Sequence, residues 1–175
     1  MIFVTIGSLF PFDRLIRLVD DLAPRWPEGT FFAQIGRGAY EPVNMPFVRQ
    51  LEARAFAETL DRAELMVAHA GMGSVISALE INRPVVVLPR DMELLEHTTD
   101  HQMATARWLI GKPGVYVALR GEDLADTISA ALAATAGREP MPTSAPAPFL
   151  EKIRAYIDGE KPVVIGSDGD KVLGV

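Results

Sequence analysis

The stretch ELMVAHAGMGSVISALEINRPVVVLP, residues 64–89, decides the fold of this chain. Its first part, 64–70, is an apolar run typical of a buried strand. Two glycines lead into 74–82, whose apolar spacing favours a helix, and 83–89 is a second apolar run closed by Pro89. Because a helix that joins two buried strands lets them run side by side in one direction, the stretch predicts a βαβ unit with parallel strands.

The same alternation continues on both sides of this unit. Further apolar or extended segments lie at 2–6, 30–36, 47–50 and 114–119. Helical spacing of apolar residues occurs at 11–23, 53–63, 97–110, 121–135 and 149–157. The strands are apolar runs rather than alternating patterns, which is typical of a parallel sheet that helices cover on both faces. We therefore predict an α/β fold with a Rossmann-like parallel sheet.

The domain limits follow from where this alternation ends. We predict one Rossmann-like domain over 1–158, within which the Pro- and Ala-rich segment 138–148 connects the last two predicted helices. Residues 159–175 contain turn residues and few apolar anchors. They are expected to form a loosely held tail or an added edge strand.

Composition excludes several classes of function. The chain has 175 residues, 49% of them hydrophobic, a net charge of −6 and no cysteine. The negative charge argues against a nucleic-acid partner, and the missing thiols exclude disulfides and cysteine-bound metals. The N-terminus does not resemble a signal peptide, and no apolar run is long enough to cross a bilayer. A soluble cytoplasmic protein is expected.

Three predicted loops follow strands whose carboxyl ends lie at one edge of the sheet, where ligands bind in such folds. They contain Gly7 and Ser8, the segment 69–74, and the residues from Arg90 onward. In 69–74 we expect two glycines with positive φ, Gly71 and Gly73, and Ser74 as the cap of the next helix. Such a helix N-terminus attracts phosphate, with His69 at the strand end and Ser77 one turn further on. The alternative is a plain glycine-rich turn.

Other motifs narrow the chemistry. The first turn lacks G-x-G-x-x-G, which argues against a dinucleotide, and the chain lacks a P-loop, which argues against a P-loop NTPase. No cofactor is expected. His97 and His101 are four residues apart and would share a helix face, but H-E-x-x-H is absent and no metal is expected. His101 and Gln102 are instead candidates for binding sugar hydroxyls. Glu93 and Glu96 are expected to be solvated.

Together the motifs HAGMGSVISALE, RPVVVLPR and EHTTDHQMATA resemble the C-terminal half of glycosyltransferase family 28 and its GT-B relatives. The resemblance implies one half of a GT-B enzyme, the domain that binds a nucleotide-sugar donor. It assigns His69 to the donor diphosphate and implies a glycine loop facing the cleft, a phosphate loop and a sugar-binding pair. The glycine loop consists of Gly7 and Ser8, and the sugar-binding pair consists of His101 and Gln102. The phosphate loop consists of Gly71, Met72, Gly73 and Ser74.

One position departs from the family pattern. Many relatives carry an acidic residue, which binds the ribose, where this chain has Ser77. The nearest acid is Glu80, one helical turn later. Ser77 is therefore the candidate ribose contact, and the preference for uridine is a weaker expectation than the phosphate site.

The chain is similar above all to the small subunits of two-component transferases, such as the bacterial PssE-type subunits of exopolysaccharide synthesis. That resemblance implies a UDP-sugar donor, a membrane-associated partner subunit that binds the acceptor, and a polyprenyl-diphosphate-linked acceptor. It also implies recruitment from the cytoplasm to the inner face of the membrane. No catalytic residue can be named in this chain, and the isolated chain is a candidate homo-oligomer. The main alternative is a non-catalytic enhancer or stabilising subunit. An epimerase half-domain would need a second domain.

Overall fold

The computed structural model describes residues 1–134, 147–159, 164–165 and 171–172. Six strands form the main sheet: β1 (Ile2–Thr5), β2 (Phe31–Gln34), β3 (Phe47–Val48), β4 (Leu65–His69), β5 (Val85–Leu88) and β6 (Val115–Val117). Five helices accompany them: α1 (Asp13–Leu22), α2 (Ala53–Arg62), α3 (Met72–Glu80), α4 (His101–Leu109) and α5 (Leu124–Ala133). Short 3₁₀ turns at Ala23–Arg25 and Gly121–Asp123 follow α1 and precede α5.

All pairs of neighbouring strands in this sheet are parallel, and the strand order is β3-β2-β1-β4-β5-β6. The predicted α/β fold is confirmed. The chain builds outward from β1 to β3, then returns to the other side of β1 to continue with β4. Doubly wound sheets bind ligands beside this reversal, at the carboxyl ends of the strands. The reversal therefore places the ends of β1 and β4 next to each other at the candidate site.

Two apolar layers sandwich the sheet, because successive residues of a strand point to opposite faces. In β1, the side chains of Ile2 and Val4 join the layer beneath α1 and α5, whereas Phe3 joins the layer beneath α2, α3 and α4. All three residues are almost fully buried. The helices thus cover both faces, which is why the strands are apolar throughout.

Two helix starts differ from the expectation. α3 begins at Met72, two residues before the predicted start, with Gly71 as its N-cap and no side-chain capping bond. α4 begins at His101 rather than at 97, since the preceding residues form turns and bends. In that segment the backbone N–H of Thr99 donates to Nδ1 of His97 at 3.2 Å. Local side-chain bonds of this kind compete with the helix.

The chain divides into two compact units, Met1–Met141 and Pro142–Val175. In the second, helix α6 covers Ala147–Ile157, two residues longer at its start than predicted, and the strands β7 (Val164–Ile165) and β8 (Lys171–Val172) pair antiparallel. These strands form a sheet of their own rather than an added edge of the main sheet. The predicted connector up to residue 146 lies outside the described residues. A single domain over 1–158 stays a prediction.

Within the described ranges, no helix combines the length and the apolar character that crossing a membrane requires.

Candidate functional site

A cleft of about 560 Å³ opens beside the strand reversal, bordered by the loops after β1, β4 and β5. Seven of the predicted site residues line it: Gly7, Ser8, His69, Gly73, Ser74, Ser77 and Gln102. Gly71, Met72 and His101 are not among its lining residues. The structure therefore brings Gly7, Ser8, the second half of the predicted phosphate loop and Gln102 to one cavity.

His69, the last residue of β4, lies close against two glycines. A Cβ on Gly7 would lie 2.7 Å from Cε1 of His69, and a Cβ on Gly71 would lie closer still to Nε2. Gly7 also has a φ of +75°, a backbone conformation that favours glycine. Gly71 has a φ of −96°, which any residue adopts, so the expected positive φ there is wrong. Gly71 is needed for the space that its missing side chain leaves to the imidazole.

Burial gives His69 an unusually low pKa. It lowers the pKa of the imidazole to about 4, and repulsion from the charge of Arg90, and from His97 when that ring is protonated, contributes to the same shift. His69 is therefore neutral at neutral pH. Nδ1 is buried and has no hydrogen-bond partner among the described residues. A neutral ring bordering the cleft can hydrogen-bond a ligand without adding a fixed positive charge.

The N-terminus of α3 supplies the backbone donors of the site. Ser74 is the third residue of this helix, so the expectation that it caps the helix is wrong. The first N–H groups of a helix have no partner within the helix, and they attract anions. Gly73 lines the cleft, and a Cβ there would meet no protein atom within 4 Å. This space belongs to the cleft, and Gly73 also lacks the predicted positive φ.

Ser77 lies one turn further along α3, half-buried and lining the cleft. Glu80 is exposed at the end of the helix and is not among the lining residues. Of the two polar side chains considered for the ribose, the structure places Ser77 at the cleft.

Arg90 is a site residue that the sequence analysis did not single out. Its side chain is buried, and one guanidinium nitrogen, Nη2, donates to the carbonyls of Ile6 at 2.7 Å and Phe10 at 2.8 Å. Its backbone N–H donates to Oε1 of Gln102 at 3.1 Å. Burial lowers the pKa of Arg90 to about 10, an effect that the charge of Glu96 opposes. The guanidinium therefore stays charged at neutral pH and holds the loop after β1 against the loop after β5.

Gln34 is a second lining residue that was not predicted. Its amide nitrogen donates to Oγ1 of Thr5 at 3.3 Å, and its Oε1 accepts from the N–H of Leu51 at 3.0 Å. Because these bonds engage both ends of the amide, Gln34 serves to fix the cleft wall.

The loop between β5 and α4 is attached to α1 by an ion pair. Nε and Nη2 of Arg14 each donate to a different oxygen of Glu96 at 2.7 Å. Nη2 of Arg14 also donates to the carbonyl of Pro89 at 2.9 Å, and the N–H of Asp91 donates to Glu96. The expectation that Glu96 is solvated is wrong, whereas Glu93 is exposed. This pair was not predictable from local sequence patterns, because Arg14 precedes Glu96 by 82 residues.

The two histidines of this region have different surroundings. His97 lies before α4 and lines the cleft, whereas His101 is the first residue of α4 and is exposed. The expected shared helix face is therefore wrong, because only one of the two belongs to the helix. Over the described residues, no group of three His, Cys, Asp or Glu side chains is placed to hold a metal ion.

Solved structures of known proteins are similar to the chain in fold. The solved structure of the glycotransferase of kitacinnamycin matches with a TM-score of 0.57 at 21% identity, over 76% of this chain and 34% of that chain. The NMR structure of ALG13 matches with a TM-score of 0.52 at 18% identity, over 87% of this chain and 93% of that chain. Both are likenesses of fold. The comparison with curated proteins gave no match.

The match with the kitacinnamycin enzyme spans about a third of that enzyme's length, 34%. The sheet order and the helices on both faces are those of the C-terminal half of GT-B glycosyltransferases. A family model, the glycosyltransferase family 28 C-terminal domain, matches residues 1–155, which is most of the chain. The chain belongs to the glycosyltransferase family 28 C-terminal domain family.

Proposed function

We propose that this cleft binds a nucleoside diphosphate-sugar, with UDP as the nucleotide, and that the chain is the donor-binding subunit of a glycosyltransferase. The observation that carries the proposal is that the N-terminus of α3 and the neutral ring of His69 border the same cleft. Backbone N–H groups and an imidazole suit a diphosphate. Ser77 is the proposed ribose contact, and the family membership supports a nucleotide-sugar over a free phosphate.

In the proposed reaction an acceptor hydroxyl attacks the anomeric carbon of the sugar and forms the new glycosidic bond, while the bond between that carbon and the diphosphate breaks. The proton of the acceptor hydroxyl goes to a base that we assign to the acceptor-binding partner rather than to this chain. The departing diphosphate takes the electron pair, and its negative charge develops beside the donors of α3 and His69. These groups are fixed before the reaction, since Gly7 and Gly71 seat the imidazole and Arg90 holds the loop after β1. We assign to this chain the stabilisation of the negative charge on the departing diphosphate.

Calorimetry with the full chain tests donor binding. We expect the wild-type protein to bind UDP and at least one UDP-sugar, and Gly73→Asp to lower both affinities by more than about 10-fold. The new carboxylate would occupy the open space at the helix N-terminus and repel the diphosphate. Ser129→Asp adds the same charge at an exposed position of α5 and serves as the matched control. A wild-type chain that binds neither ligand contradicts the proposal and favours a non-catalytic stabilising subunit.

We further propose that a membrane-associated partner subunit binds the acceptor, a polyprenyl-diphosphate-linked sugar, at the inner face of the membrane. The resemblance to PssE-type small subunits of exopolysaccharide synthesis motivates this assignment. Purification of the chain with its partner, followed by a panel of UDP-sugar donors, would test it. We expect transfer by the complex and none by the chain alone. Full activity of the isolated chain would contradict a separate acceptor subunit.

A further inference from the structure

His97 is the histidine of the β5–α4 loop that borders the cleft. Its ring packs edge-on against Phe10, with 5.3 Å between ring centroids and an interplanar angle of 64°. Phe10 and Gln102 line the same cavity. The imidazole is therefore oriented by a neighbour and faces the space that the proposed donor would occupy.

The hydrogen bonds of His97 determine which nitrogen carries the proton. The backbone N–H of Thr99 donates to Nδ1 at 3.2 Å, and Oγ1 of Thr99 lies 3.1 Å from the same atom. An amide N–H requires an unprotonated acceptor, so the neutral ring carries its hydrogen on Nε2. Within the part of the chain that the structure describes, Nε2 makes no hydrogen bond to protein. His97 consequently has an Nε2–H donor that no described protein atom uses, on a residue that lines the cleft, and this nitrogen cannot accept a proton in the neutral form.

Gln102 offers a second donor on the same side. Its Oε1 already accepts from the backbone N–H of Arg90, which leaves the amide NH₂ for a ligand. The diphosphate is assigned to the other wall, at α3 and His69. Two hydrogen-bond donors close to the β5–α4 loop suit a hexose, whose hydroxyl oxygens accept hydrogen bonds. His101, the residue that the family resemblance assigns to the sugar, is exposed and is not a lining residue.

We propose that His97, rather than His101, is the histidine that contacts the transferred sugar, and that Nε2–H of His97 donates to a sugar hydroxyl. The proposal rests on the proposed donor-binding function. It adds a specificity-determining residue and moves the sugar contact from the first turn of α4 to the loop before it.

The test is calorimetry with UDP and with the tightest-binding member of a panel of UDP-hexoses and UDP-N-acetylhexosamines. His97→Asn keeps an acceptor where Nδ1 lies and removes the donor at Nε2. We expect it to weaken the UDP-sugar about 3- to 10-fold, the effect of one hydrogen bond, with UDP unchanged. His97→Gln, which can place an amide donor near Nε2, should restore part of the loss. His101→Asn should leave both affinities within about 2-fold.

Nitrogen NMR of the histidine side chains supplies a readout that a structural role would not move. We expect Nε2 of His97 to be protonated in the free protein and to shift on adding the UDP-sugar but far less on adding UDP. Equal binding of the UDP-sugar by His97→Asn and wild type would overturn the proposal, as would an equal loss for both ligands. In either case wild-type donor binding would leave the proposed function intact. A wild type that binds no UDP-sugar would overturn both.

Discussion

Gly7 and Gly71 both lie against the imidazole of His69, and their missing side chains leave the space that the ring occupies. A glycine in such a loop commonly indicates that the backbone adopts a positive φ. Of these two glycines, only Gly7 has a positive φ. At Gly71 the requirement is steric. The sequence alone cannot distinguish a requirement for positive φ from a requirement for space, because both select glycine.

Gly71→Ala should therefore disturb His69. The new methyl group would overlap the ring, and we expect a loss of about 1–3 kcal/mol in the free energy of unfolding, the usual range for overpacking. Urea denaturation measures this loss. Gly73→Ala is the matched control, since a Cβ there meets no protein atom and alanine favours the helix. Equal stability of the Gly71→Ala and wild-type proteins would show that the ring has space to move.

The low pKa of His69 predicts a pH dependence of stability. The folded protein takes up this proton near pH 4, whereas an unfolded histidine takes it up near pH 6.5. Between these values the unfolded chain binds more protons, so the free energy of unfolding should fall as the pH drops from about 6.5 to about 4. The slope from this group approaches about 1.4 kcal/mol per pH unit. In urea titrations, His69→Asn should remove that part of the slope, and an unchanged slope would contradict the assignment.

At the scale of elements, long-range contacts hold the loops of the cleft in place. Arg90 holds the loop after β1 through carbonyls that lie 80 and 84 residues earlier in the chain. Arg14 of α1 holds the loop after β5 through Glu96. The strands carry the loops to one edge, and these two cations fix where the loops lie at that edge.

Glu96→Gln tests the attachment of the β5–α4 loop. The side chains of this pair are 26% and 12% exposed, so loss of the charge should cost about 1.5–3 kcal/mol in the free energy of unfolding. Glu58→Gln is the matched control, because its pair with Arg54 is exposed and should contribute less than about 1 kcal/mol. We also expect weaker binding of a UDP-sugar. A stability unchanged from wild type would mean that Arg14 holds the loop through Pro89 alone.

The elements themselves follow from local sequence to a large extent. Each of the six strands of the main sheet lies inside a segment predicted as strand or extended, because a buried parallel strand is an apolar run that no surface pattern interrupts. The helix starts are less predictable. Ser74 is a favourable N-cap by residue type, yet the chain begins α3 at Met72, where Gly71 leaves space for His69. Tertiary packing decided this boundary.

For the whole molecule, the strand order and the buried cation lay beyond the sequence analysis. Both depend on pairings between residues far apart in the chain, such as Val4 with Val67, and local patterns do not encode these pairings. The glycine loops, His69 and Gln102 were predictable because each follows a recognisable strand. Arg90 also follows one, but its partners are backbone carbonyls, which have no signature in a sequence.

Donor binding should stabilise the whole molecule. A ligand that binds only the folded state adds about 2.7 kcal/mol at 100 times its Kd. For a chain of this size that corresponds to a rise in Tm of roughly 5–10 °C. Thermal unfolding with increasing UDP measures the rise, and Gly73→Asp should reduce it to about half or less at the same UDP concentration, given an affinity at least about 10-fold weaker. A Tm that does not move with UDP while calorimetry reports binding would place the nucleotide on a part of the molecule that does not unfold with the sheet.

The loop between β5 and α4 has a consequence for how such a protein diversifies. Residues 89–100 contain no helix or strand, and they are fastened at Arg90 and Glu96 rather than along their length. Among the described residues, the side chains of 91–95 and 97–100 make only local hydrogen bonds, and none of these reaches the sheet or α3. Exchange of 91–95 and 97–100 for other residues would therefore leave the proposed nucleotide site unaltered. The wall beside the proposed sugar site is the part of the molecule in which evolution, or a library, can change residues without disturbing the fold.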